Sequence, residues 1–395
     1  MRSSAVLLLC SALAAWAAFA LPLVRVAPNR LLTGEPVYLS DLLTLEASLL
    51  FIGICFLLLW LARLSPVRRL QTYHSLALVL LLTLMSAALF ALTSHQASKA
   101  VHLGPSLVRT SLGAGFWTLM MLAWLITMDT LDRAGFKAWI RTGLLLFTIA
   151  PIVIQVVMGR ADDLSIMKEY FSRSDLFWQA VWRHQQIVLM AIVPSVLLGL
   201  PLAWGCQHFV RLRRAVFPVL NLVQTIPSIA LFSLLMAPLA WLAVRYPSLA
   251  QAGISGVGLA PAVLALVLYS LLPVVRSGLA GLEQVPQAAR SAARAMGMST
   301  WQVFAHVELP LALPMLLPGL RTAVVQTIGL TAVTALIGAG GLGTLMFDGL
   351  FSAANELVLL GVLPIVLLAA LADALFDVLS GWLNPYGAAI HGVPD

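Results

Sequence analysis

Residues 285–310 read VPQAARSAARAMGMSTWQVFAHVELP, a polar, arginine-bearing stretch between two long apolar ones. The pattern predicts two short helices with a break. Pro286 suits a first helical turn, where its missing N–H has no partner to lose. Ala288, Ala289, Ala292, Ala293 and Met296 recur on one helical face, and an alanine face lets another surface approach the backbone closely. Arg290 and Arg294 stand one turn apart on a different face. Gly297 can take the left-handed conformation that ends a helix. Ser299 with Gln302 makes a capping-box pattern that starts the second helix. Pro310, following Glu308 and Leu309, interrupts the helical hydrogen bonding again.

The flanks set the class. Of the 395 residues, 61% are hydrophobic and 10% charged, with a mean hydropathy of +0.97; soluble domains average about 25% charged. The reading is an all-α integral membrane protein with about ten spans of roughly 20 residues each, at 5–24, 44–62, 74–92, 112–128, 142–158, 186–206, 217–241, 259–275, 311–337 and 356–378. Pro218, Pro227 and Pro238 interrupt the seventh. Pro314 and Pro318 bend the ninth near its start. With the N-terminus inside, the inner segments collect most of the basic residues, among them Arg211, Arg213, Arg214, Arg276, Arg290 and Arg294, as the positive-inside rule requires. The net charge of +7 therefore reads as topology, not as nucleic-acid binding. It also puts 285–310 and both termini on the cytoplasmic side. Residues 5–24 read as an uncleaved first span, not a signal peptide. Cys10, Cys55 and Cys206 have no metal-ligand or disulfide spacing.

With Ser291-Ala292-Ala293, three residues, Gly297, nine residues and then Val307-Glu308-Leu309-Pro310, the central stretch resembles the "EAA loop" of bacterial ATP-binding cassette importer permeases. That family's pattern is Glu-Ala-Ala, three residues, Gly, nine residues, Ile-x-Leu-Pro; Ser291 stands where it has glutamate. Four further stretches resemble permeases for osmoprotectants such as glycine betaine, choline and carnitine: Leu222–Phe232, Ala265–Arg276, Gly319–Gly329 and Ala335–Gly343. The resemblance implies a five-helix type I permease core over 186–378 and an N-terminal extension of five spans over 1–158. A periplasmic segment over 159–185 would lie along the membrane surface at 177–184, and 379–395 would be a short cytoplasmic tail. It implies an inner-membrane location and transport by alternating access. The implied partners are two cytoplasmic ATPase subunits, a second permease (identical or related), a separate solute-binding protein and membrane lipid. Ala292, Ala293, Gly297, Leu309 and Pro310 would belong to the loop that docks on the ATPase, with Ser291 at the family's glutamate position and Arg290 and Arg294 facing acidic partner groups or solvent.

The rest of the chemistry is sparse. Lys99, Lys137 and Lys168 are the only lysines, and none follows a glycine-rich phosphate loop. The chain is therefore expected to bind no cofactor of its own, ATP being used by the partner subunits. Gly338-x-Gly340-x-x-Gly343 matches a dinucleotide fingerprint in form but follows a span, not a strand, and reads as permissive backbone at a turn. Arg321 lies inside a span, where a charge costs at least ~2.5 kcal/mol. It has three readings: a contact to a substrate carboxylate, snorkelling, or locking helices through Gln224 or a carbonyl. Gln224, Thr225 and Gln326 are pathway or helix-bridging groups. Asp373 and Asp377 sit one turn apart near the last span's inner end. The competing class, an ion-coupled secondary transporter or other polytopic membrane protein, would need acidic groups deep in the spans, and the acids lie mostly in loops or near span ends.

Overall fold

The computed structural model describes residues 5–30, 32–43, 53, 68–104 and 107–383. The chain divides into two compact units, Met1–Ser172 and Arg173–Asp395. Among the described residues, eight helices are long and apolar enough to cross a membrane. The expected span 44–62 lies outside the described residues, residue 53 apart.

The first unit begins with α1 (Ala5–Ala20), which stops short of the expected 5–24 because the chain turns into strand β1 (Val24–Ala27). β1 is the centre of a three-stranded antiparallel sheet with β2 (Glu35–Val37) and β3 (Arg109–Leu112). Val24 pairs with Val37 on one side and Leu112 on the other. Strands this short have no room for the alternation that marks a strand in sequence, so the spans alone were legible. A short α2 (Leu39–Leu42) follows β2. α3 (Arg68–Leu103) is far longer than the expected 74–92. It passes through the polar Thr93-Ser94-His95, where the Thr93 hydroxyl donates to the Phe90 carbonyl at 2.8 Å. α4 (Ala114–Ala134) and α5 (Ala138–Val157) complete the spans. Leu89, Phe90, Phe116 and Leu119 form the core with Ala17, Ala18 and Leu23. α6 (Ser165–Ser172) brings the buried Glu169 between Arg30 and Arg109, each 3.6 Å away.

The second unit begins with α7 (Ser174–His208). Residues 177–184 are therefore the opening turns of a 35-residue helix instead of a separate segment. The expected span 217–241 is two helices, α8 (Val210–Thr225) and α9 (Ser228–Arg245), broken at Ile226-Pro227; Pro218 and Pro238 lie within them. α10 (Pro247–Gln251) leads to α11 (Leu259–Gln284), which runs nine residues past its expected end. Arg276 is thus inside a helix, not in a loop. α12 (Gln287–Ala295) and α13 (Thr300–Val303) form the predicted hairpin. α14 (Leu309–Val333) ends in a 3₁₀ turn (Thr334–Ile337). α15 (Leu342–Phe351), absent from the sequence reading, packs back on α16 (Asn355–Leu383). Residues 384–395 of the expected tail lie outside the described residues.

α11 is the axis of this unit, packed chiefly between α7 and α14. Ala262, Ala265, Leu266, Val275 and Leu279 are buried in its core with Ile187, Ala191 and Phe232. The crossing with α14 is close because of Gly319: a Cβ there would stand 1.8 Å from the Ser277 Oγ and 2.5 Å from the Pro273 carbonyl. The turn after α14 uses Gly338, Gly340 and Gly341 at φ of 79°, 88° and 89°, the left-handed region that glycine enters freely. On that turn Arg183 Nε donates to the Ala339 carbonyl at 3.0 Å. The fully buried His184 pairs through Nε2 with the Ile328 carbonyl at 3.1 Å.

Candidate functional site: a helical hairpin and a polar cleft

The hairpin is built largely as its sequence predicts. Pro286 is the residue before α12 instead of inside its first turn. Gly297 takes φ 81°. The capping box forms in both directions: Gln302 N–H donates to Ser299 Oγ at 3.3 Å, and Ser299 N–H donates to Gln302 Oε1 at 2.8 Å. Pro310 does not interrupt the helix. Phe304–Glu308 widens into a π-helical turn, so Pro310 sits in the first turn of α14, where no donor is needed.

The alanine face divides. Ala293 is buried and Ala289 half-buried, while Ala288, Ser291, Ala292, Ala295 and Met296 are exposed. Arg294 is also exposed, but Arg290 is turned inward. Its Nε donates to Glu308 Oε1 at 2.7 Å, and its Nη2 donates to the Leu282 carbonyl at 2.5 Å. The cause lies in the backbone. Leu282 lies in the last turn of α11, where its carbonyl accepts the Val285 N–H at 3.3 Å and Pro286 has no N–H to add. Arg290 and Gln207 Nε2 add side-chain donors to the same carbonyl, the latter at 3.1 Å. The side chain of Glu308 is 4% exposed and that of Arg290 14%. One guanidinium therefore joins α12 to the end of α11 and to the turn that begins α14. The sequence pattern alone points Arg290 toward a partner or solvent and assigns Glu308 no role.

A second proline organises the cleft. Pro273 leaves the Tyr269 carbonyl without its i+4 donor, and Gln224 Nε2 donates to it at 2.5 Å. The Tyr269 hydroxyl in turn donates to the Ile226 carbonyl at the α8–α9 break. Gln326 Nε2 reaches Gln224 Oε1 at 3.5 Å. Beside these groups lies a cleft of about 500 Å³ between α11, α14 and the end of α8, lined in part by Gln224, Arg276, Ser277, Met315, Thr322 and Gln326. The structure thus brings Gln224 and Gln326 together. Thr225 is not in the lining; its hydroxyl closes its own helix end on Leu222. Arg321 is not in the lining either. It grips Asp373 of α16 in a two-pronged pair of 2.5 and 2.6 Å, with Asp377 at 3.9 Å. Of its three readings, the helix lock describes the geometry, with a carboxylate as partner instead of Gln224. Such long-range pairs carry no local sequence signal; a proline four residues after a carbonyl does, and marks where a side-chain donor is needed.

A helical membrane-spanning protein with a polar cleft between its helices and a hairpin bolted to them has the parts of a transport permease. The model for binding-protein-dependent transport system inner membrane components matches residues 195–385. Another, described as the N-terminal domain of the ABC transporter permease YehY, matches residues 2–167. The osmoprotectant import permease protein OsmW of Salmonella typhimurium is 39% identical over 206 residues, 52% of this chain and 91% of that protein. The glycine betaine/carnitine/choline transport system permease protein OpuCD of Bacillus subtilis is 36% identical over 226 residues, 56% and 90% of the two chains. A solved structure of the MetNI methionine ABC transporter matches 54% of this chain and 98% of its own, with 22% identity and a TM-score of 0.45. The chain belongs to the binding-protein-dependent transport system inner membrane components, as an ABC importer permease of the osmoprotectant type. It is a multi-pass inner-membrane protein of a family that carries no ATPase of its own.

Proposed function

We propose that this permease imports compatible solutes of the glycine betaine type by alternating access. The observation that carries the reading is the Arg290 junction, where an exposed small-residue helix is tied to two cleft-lining helices. In this reading the 285–310 hairpin faces the cytoplasm and seats in a groove of one of two ATPase subunits. Ser291, Ala292, Gly297 and the Leu309-Pro310 end set its shape, and both chain termini lie on the same side. The chain binds no cofactor; ATP is bound and hydrolysed by the partners. A second permease, identical or related, completes the path along the face that holds Gln224 and Gln326. A separate binding protein delivers solute from outside.

The test is uptake of labelled glycine betaine by proteoliposomes carrying the assembled complex. Uptake should require ATP and stop with a non-hydrolysing ATPase variant. Uptake that continued under that block would refute the mechanism.

A further inference from the structure

Arg276 is the one charged residue in the lining of the cleft. Arg213, Arg290 and Arg321 each contact a carboxylate of the chain: Glu283 at 2.6 Å, Glu308 at 2.7 Å and Asp373 at 2.5 Å. Arg276 has no carboxylate partner among the described residues. Its described side-chain bond is Nη2 to Asn221 Oδ1 at 3.2 Å. A guanidinium has five N–H donors, so most of its capacity remains unspent. It stands 17 residues into α11, on the face that carries Leu272, Pro273 and Ala280 into the cleft. An ionisable group in a spanning helix ordinarily faces a water-filled path or a ligand.

The rest of the lining narrows the ligand. None of the lining residues is acidic and none is aromatic. A net cation would therefore meet an uncompensated positive charge, with no carboxylate and no aromatic face to offset it. A carboxylate would meet a planar fork of donors that matches its geometry. Around it, Met315 and Leu272 offer apolar contact, and the Gln224 and Gln326 amides offer dipoles, enough to accommodate bulky methylated nitrogen without gripping it.

We propose that Arg276 is a carboxylate-recognition residue in the translocation cleft, which selects small zwitterions bearing a carboxylate over net-cationic amines. The proposal rests on the transport reading above and names the substrate class for it. Gln224 and Gln326 line the same cleft, and Asn221 positions the guanidinium. A contact of this kind is weak enough for transit, because it holds one end of the solute and leaves the onium end loosely seated.

The experiment compares wild type, Arg276→Gln and Arg276→Lys in proteoliposomes with the complete importer. Labelled glycine betaine and labelled choline are each supplied with saturating binding protein, and ATP hydrolysis is measured in the same vesicles. Arg276→Gln should lower glycine betaine uptake at least tenfold and raise the choline-to-betaine uptake ratio. ATP hydrolysis stimulated by the binding protein should stay within twofold of wild type. Arg276→Lys, which keeps the charge and loses the fork, should fall between. The proposal is overturned if Arg276→Gln imports glycine betaine within twofold of wild type. It is overturned equally if uptake and ATP hydrolysis fall together, which would mark Arg276 as a structural residue. A wild-type importer that moves neither solute would instead overturn the transport reading, and the proposal with it.

Discussion

Replacing Glu308 by glutamine tests whether the Arg290 junction holds the hairpin to the transport helices. The change keeps size and shape but removes the charge facing Arg290 at 2.7 Å, where the two side chains are 4% and 14% exposed. Breaking a buried ion pair on one side costs about 3–5 kcal/mol, because the surviving charge stays buried. Arg290→Ala also removes one hydrogen bond to the Leu282 carbonyl, a further cost of about 1 kcal/mol at most, since the Val285 N–H and Gln207 Nε2 still donate to it. For a unit of this size, the ion-pair loss should lower the melting temperature by roughly 6–20 °C. Thermal unfolding in detergent reads this directly. The double replacement Arg290→Met/Glu308→Leu should recover most of the lost stability, since an apolar pair carries no unpaired charge. It should still transport poorly, because nothing polar then ties α12 to the Leu282 carbonyl. Uptake per ATP hydrolysed, measured in the same vesicles, separates the two effects. Single variants that melt within about 2 °C of wild type would refute the reasoning. So would a double variant with full uptake per ATP.

Other changes probe other contacts. Ser291 is exposed on α12, so Ser291→Glu should leave melting unchanged and preserve or strengthen ATPase association in a pull-down; loss of association would overturn the docking assignment. Gly319→Ala should separate α11 from α14 and destabilise by about 1–3 kcal/mol. Adding Ser277→Ala should rescue only part of the loss, because the Cβ of residue 277 and the Pro273 carbonyl still lie 2.4 and 2.5 Å from the new methyl group; full rescue would place the clash on the Ser277 hydroxyl alone. Arg321→Lys should lower stability by up to about 1 kcal/mol, since lysine cannot reproduce the two-pronged grip on a half-exposed Asp373. It should leave the KM for solute unchanged, because Arg321 does not line the cleft; a raised KM would return it to the pathway. Burial, with Arg109 nearby, holds the Lys168 ammonium below the ordinary lysine value of 10.5, against the pull of Asp163. The charged form is thus disfavoured in the folded state. The stability of wild type relative to Lys168→Met should therefore rise as pH climbs from the lowered value toward 10.5, and a flat difference would contradict the burial.

Much of this protein follows from local pattern. Apolar runs of spanning length mark the helices, because a bilayer admits little else. The hairpin's breaks and caps are legible because Gly297, Ser299 and Gln302 act on their own backbone within a few residues. Tertiary structure decided the pairings. Which of three prolines would break the 217–241 stretch depended on Tyr269, from another helix, satisfying the carbonyl at Ile226. The small sheet formed because strands 24–27, 35–37 and 109–112 found each other across the chain. Arg290, Arg321 and Arg276 read alike in sequence as basic residues of a membrane protein. The fold gave the first two a carboxylate each and left the third facing the cleft, since only packing sets which charges meet within hydrogen-bonding distance.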